Sequence, residues 1–183
     1  MEWIDTKTIY TIAHIFGAIF GAGGAYLSDA MFFSSVRDKV ISKKELHFMK
    51  IGSSFVWMGL AILLISGALL FLTDPAGYMD SSKFLIKMLI VLVILINGIY
   101  FHAGHLPMLH RHADSHYPSS NEFTKKKKFL IISGVISMTS WTFAIILGGL
   151  RMIPVDFTTA LIIYVVFEII AISIALVISR RLF

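Results

Sequence analysis

A few ionisable side chains interrupt the long apolar stretches of this sequence. His14, Lys87 and Glu168 stand well inside them, and Asp29, His47, His102 and His105 lie nearer their ends. Hydrocarbon does not solvate charge, so residues of these types face a bundle interior or a water-filled space and mark candidate functional positions. Imidazole ligates haem iron or a transition metal. A lysine can pair a carboxylate or polarise a carbonyl, and a buried carboxyl can pass protons along.

His14 is the best single candidate for an axial haem ligand, because Gly17 and Gly21 beside it would admit a flat macrocycle close to the backbone. The same glycines serve equally as a plain helix-packing stripe. No second histidine shares the depth of His14, so two imidazoles on one iron are not available there. Lys87 supplies the opposite ligand only as a neutral amine; otherwise it pairs a haem propionate, polarises a quinone carbonyl, or simply snorkels to a helix end. Near the opposite ends of the helices, His47 can meet His102 or His105. These two, three residues apart, can share a copper-like metal ion with Asp29. His110, His112 and His116 add to a histidine-dense edge, but their spacing matches neither a zincin nor a desaturase cluster. Glu168 is a proton carrier or one half of an interhelical hydrogen bond to Ser137 or Ser140.

The elements that position these groups are helices. Apolar residues make up 57% of 183 positions and mean hydropathy is +0.81. A hydrocarbon layer about 30 Å thick needs roughly 20 apolar residues in helix. Five segments qualify: Thr8–Phe33, His47–Leu72, Lys83–Leu106, Lys128–Leu150 and Phe157–Arg180. The expected fold is therefore all-α, a single five-helix transmembrane bundle over residues 1–183. The absence of cysteine excludes disulfides, thiolate metal sites and iron–sulfur clusters. Met1–Asp5 lacks the positive start of a cleaved signal, so the first helix is expected to remain.

Charge sets the expected topology. Arg37, Lys39, Lys43, Lys44, Lys50, Arg111, Lys125–Lys128, Arg180 and Arg181 fall on one side; Lys7, Lys83, Lys87 and Arg151 fall on the other. The positive-inside rule then places the N-terminus outside and the C-terminus in the cytoplasm, in a cell's inner membrane. This bias accounts for the net charge of +5 without nucleic acid. The partners expected are lipid, with the four lysines anchoring near anionic headgroups, and a second copy of the chain. Thr73–Gly77 and Arg151–Pro154 read as short turns, and Pro107–Lys127, with its histidines and Asp114, as a longer polar surface segment.

At 100° per residue, His14, Gly17, Gly21, Gly24 and Ser28 share one face of the first helix. Lys87, Val91, Ile94, Gly98 and His105 share one on the third, Ser133, Ser137, Ser140 and Ala144 one on the fourth, and Phe157, Leu161, Tyr164 and Glu168 one on the fifth. The second is less clear, with His47, Ser54, Met58 and Ala61 together. His14 and Lys87 fall about 10 Å and 6–8 Å into the same layer, and Glu168 about 18 Å deep.

Three stretches carry a family pattern over roughly residues 8–105. They are His14-Ile15-Phe16-Gly17-Ala18-Ile19-Phe20-Gly21, Ser66-Gly67-Ala68-Leu69-Leu70, and Lys87-Met88-Leu89-Ile90-Val91-Leu92. In these the chain resembles the HemJ-type protoporphyrinogen oxidases and the related copper-resistance D (CopD) membrane family. The resemblance implies a haem b-associated helical bundle, with His14 and Lys87 at the positions of the histidine and lysine that HemJ-type proteins require. Asn97–His102 and Glu168 lie outside that pattern. The first helix, with Gly23-Gly24-Ala25, Asp29 and Phe32-Phe33, is also similar to small bacterial membrane proteins that imply no function. The expectation is a haem-binding membrane oxidoreductase exchanging electrons with a quinone or porphyrin-like substrate, with His14 as ligand and Lys87 and Glu168 as its working groups. The alternatives are copper or other transition-metal handling through His14, Asp29, His47, His102 and His105, and a non-catalytic membrane subunit. A reporter that is active only in the cytoplasm should give signal when fused to the C-terminus. A silent fusion, together with an active periplasmic reporter, would invert the topology.

Overall fold

The backbones of two helices can touch only where side chains are absent, and this chain places glycines seven apart on each of its first two helices. The computed structural model describes residues 5–37, 42–111 and 121–182. Helix α1 (Thr6–Arg37) runs antiparallel to α2 (Lys43–Phe71), and they make the most extensive contact in the molecule. A Cβ added to Gly59 would come within 2.3 Å of the Gly21 nitrogen and 2.6 Å of the Gly17 carbonyl oxygen. One added to Gly24 would reach 2.4 Å from the Gly52 carbonyl oxygen. The α1 stripe is thus a seam of backbone against backbone, the arrangement small-xxx-small patterns allow where burial of apolar surface gives no drive.

After α2 the chain turns through a short helix α3 (Pro75–Met79), where a plain turn is expected from sequence. Asp74 caps it, accepting from the Gly77 amide at 3.1 Å, and Pro75 occupies the first turn, where its missing N–H costs nothing. Helix α4 (Ser82–Tyr100) follows, then one π-helical turn, Phe101–His105, then α5 (Leu106–Arg111). The wide turn precedes Pro107, which cannot donate a helical hydrogen bond. The π turn lets Pro107 enter the first turn of a new helix and leaves the Leu106 amide bonded to Phe101. Helix α6 (Asn121–Gly149) starts seven residues before the expected Lys128, and α7 (Phe157–Leu182) completes the chain. His112, Asp114 and His116 lie outside the described residues.

Five helices are long and apolar enough to cross a membrane, in agreement with the segments read from sequence. The span in α6 is the most buried of the five and that in α7 the least. α6 packs on α1, α4 and α7 together, and its Trp141 is 2% exposed. At the far end, Met108 and Leu109 of α5 are fully buried against Phe32, Leu46 and Met49, closing that end of the α1–α2 pair. Ser42 and Glu45 form a reciprocal capping box at the start of α2. Asp156 caps α7, and bonds from the Thr159 hydroxyl and backbone and the Thr158 amide hold its exposed carboxyl below the ordinary range.

One face differs from expectation. His47, Ser54, Met58 and Ala61 are all exposed, and the inward face of α2 is Met49, Gly52, Ser53, Gly59, Leu60, Leu63 and Ser66. Close approach selects small residues, so glycine and serine, not histidine and methionine, mark the packed side. A Cβ on Gly21 would lie 2.1 Å from the end of the Trp141 ring, whereas nothing lies within 4 Å of one on Gly23. Gly21→Leu and Gly59→Leu should therefore cost at least the ~1–3 kcal/mol typical of overpacking, and Gly23→Leu close to nothing. Thermal unfolding of detergent-purified protein checks this; equal loss from Gly21→Leu and Gly23→Leu would remove the seam.

Candidate functional site

The polar side chains of the bundle gather in three places. The first is at His14, half-buried on α1 opposite Ser66 and Gly67 of α2. His14 Nδ1 lies 3.0 Å from Ser66 Oγ. Ser66 Oγ also lies 2.6 Å from the Ile62 carbonyl, and with its proton there it accepts from the ring. In that arrangement Nδ1 carries the ring proton and the lone pair is on Nε2. Lys87 of α4 is partly buried and close enough for its charge to act on His14. Lys83, one turn earlier, instead ties α4 to α6 by donating to the Leu150 carbonyl.

The second place is a cavity of about 40 Å³ between α1, α2, α4 and α6. Asp29 projects there, 5% exposed, with Ser137 hydrogen-bonded to its carboxyl and Oδ2 buried without a partner. Across it, Asn97 and Ser133 bond reciprocally: Asn97 Nδ2 donates to the Ser133 carbonyl at 3.0 Å, and Ser133 Oγ donates to Asn97 Oδ1 at 2.9 Å. Ser53 lines the cavity from α2 and meets His102 Nδ1 at 3.1 Å.

The third place joins α6 to α7. Glu168 Oε1 accepts from Thr139 at 2.6 Å and from Ser140 at 3.3 Å, and Ser140 lies 2.8 Å from the Tyr164 hydroxyl. Of the two serines expected to bond Glu168, Ser140 does so; Ser137 belongs to Asp29. Glu168 Oε2 is buried with no partner.

The inner histidines do not converge. His47 is exposed, with its ring edge-on to Phe48. His102 is exposed, bonded to Ser53 and edge-on to Trp57. His105 is 3% exposed, boxed by Tyr100 and Phe101, with neither ring nitrogen bonded. The π turn separates His102 from His105: the wider turn aims one toward α2 and buries the other. Among the described residues, no three histidine or acidic side chains are grouped to hold a metal ion. Gly17 and Gly21 are filled by Leu63, Gly59 and Trp141, so they serve the helix seam.

Sequence reading singled out neither Asn97 nor Ser53. Asn97 was legible as the one amide within an otherwise apolar run, and Ser53 as a serine one residue beyond Gly52 on the seam side. No protein-family model, curated protein or solved structure matches the chain.

The reciprocal Asn97–Ser133 pair links α4 to α6 where both are apolar. A double-mutant cycle with Asn97→Ala and Ser133→Ala should give a coupling of about 1 kcal/mol, in the range of hydrogen bonds between membrane helices. Additive losses in unfolding stability would mean that the pair contributes no net link.

Proposed function

We propose that the chain is a multi-pass inner-membrane protein, N-terminus outside, that binds haem b through His14 and exchanges electrons with a quinone or porphyrin-like substrate. The observation that carries this reading is the Ser66 contact at His14 Nδ1, which in the Nδ1-protonated tautomer leaves Nε2 as the ligating nitrogen. Metal-bound imidazoles characteristically have the other nitrogen oriented in this way. The donor set fits the group: His14 would supply an imidazole, and Lys87, whose charge acts on His14, would pair a propionate or, as a neutral amine, ligate. Bound haem would supply one-electron transfer.

The remaining roles belong to the chain. Ser66 holds the ring of His14 in one tautomer. Lys87 supplies a positive charge or a donor hydrogen beside it. Glu168, with one oxygen held by Thr139 and Ser140 and the other unpartnered, is the proton carrier of this reading. Gly17 and Gly21 are filled by the α1–α2 seam and Trp141, so His14 and Lys87 are the residues that would hold the group. The orientation rests on the twelve lysines and arginines on one side against four on the other.

Protein purified from haem-replete cells should show a Soret band. His14→Ala should lose it, and Ser66→Ala should shift it or weaken it, because the imidazole then turns freely. Lys87→Met should alter the spectrum more than the fold, since an aliphatic chain suits that depth. A spectrum without Soret absorption from stable, haem-replete protein would leave a non-catalytic membrane subunit, whose polar pairs only join helices, as the better reading.

A further inference from the structure

The Asp29 cavity has a composition that helix packing alone does not require. Its polar wall carries oxygen acceptors, and the hydroxyl hydrogens of Ser28 and Ser133 are committed elsewhere. Ser28 Oγ donates outward to the Met49 carbonyl at 3.2 Å, and Ser133 Oγ donates to Asn97. One Asn97 amide hydrogen goes to the Ser133 carbonyl, leaving the second uncommitted, and Ser137 bonds the Asp29 carboxyl. The acceptors in the lining are Ser133 Oγ, Asn97 Oδ1 and the unpartnered Oδ2 of Asp29. A buried carboxylate oxygen without a partner, beside other oxygen acceptors and open volume, attracts a cation.

Size and charge narrow the choice. At roughly 10–15 Å³ per probe-sized water, a volume of about 40 Å³ holds about three waters, or one small cation that keeps some of its hydration. Hard oxygen donors suit sodium-like ions. Asp29 is the one acidic residue in the lining, so a monovalent ion gives a neutral pair, whereas a divalent ion leaves a net charge in a low-dielectric interior. Nothing lies within 4 Å of a Cβ placed on Gly98, so that part of the wall is not sealed by packing. We infer that the Asp29 cavity is a binding site for one sodium-sized monovalent cation, taken up in exchange for the carboxyl proton. This site is independent of the haem reading and shares no residue with it.

The titratable groups around Asp29 are few. The lining segments of α1, α2, α4 and α6 bring no other; His102, on the π turn, meets it only through Ser53. The exchange therefore belongs to one carboxyl, and at most one proton should leave for each cation bound.

The test uses the full chain in detergent, comparing sodium chloride with choline chloride at equal ionic strength. Above the threshold concentration for binding, each tenfold rise in sodium should raise the unfolding temperature by about 3–5 °C. Choline should not. Weakly buffered protein should release up to one proton per chain on sodium addition, and dialysis against radioactive sodium should retain one equivalent. Asp29→Asn, which keeps the shape and removes the charge, should abolish all three responses. If that variant fails to fold, Ser133→Ala and Ser137→Ala should each shift the sodium response to higher concentration. Identical unfolding in sodium and choline with no proton release would overturn the site. So would a calcium response stronger than that to sodium.

Discussion

In hydrocarbon, a leucine gains nothing by leaving lipid for another leucine, so helices associate where their backbones approach and where polar groups find one another. The α1–α2 seam meets the first condition. Gly17 and Gly24 stand seven apart on one helix, Gly52 and Gly59 seven apart on the other, and in antiparallel register each opposes backbone. The rest of the bundle is assembled on this pair. Trp141 of α6 lays the end of its ring on Gly21, so the seam also fixes where α6 docks. A side chain on Gly21 would lift the indole, and with it the helix that contacts α4 and α7.

Docked in that way, α6 supplies the second condition. Its serines at 133, 137 and 140 follow helical spacing along one face, and each meets a different partner: Asn97 on α4, Asp29 on α1, and Glu168 with Tyr164 on α7. A short side chain with one hydroxyl suits this place. It lets the neighbours come near and satisfies a polar group that lipid would leave bare. The polar interior is thus one ladder on one helix, and the bundle is arranged around it.

The features legible from sequence were those expressed as period and length. Five apolar runs gave five helices, and the 3.6-residue spacing put Gly17, Gly21 and Gly24 on the packed face of α1 and Ser133 and Ser140 on that of α6. The face of α2 differs from the less clear one expected, because His47, Ser54, Met58 and Ala61 all face outward. The signal lay in Gly52 and Gly59, whose seven-residue interval matches that of Gly17 and Gly24. The π turn has no periodic signature. It arises from how the chain relieves Pro107, and it decides the fates of His102 and His105, so a constellation of inner histidines drawn from an ideal helix did not survive it. Asn97 was hidden for another reason. One amide in an apolar run has no spacing of its own, and its meaning depends on Ser133 across the interface.

The two buried carboxyls differ in what compensates them. Glu168 sits between two helices with one oxygen held by Thr139 and Ser140, and its other oxygen is buried without a partner. Asp29 sits where four helices meet around open volume. A carboxyl beside open volume and other oxygen acceptors can hold an ion as well as a proton. Both attach to α6 along the same face, Asp29 through Ser137 and Glu168 through Ser140, less than one turn apart. A rotation of α6 would move both serines together. Because Trp141 follows Ser140 directly and rests on Gly21, that same rotation would also press on the α1–α2 seam. Through Trp141 and its serines, α6 thus touches both the tightest contact of the fold and the two buried acids.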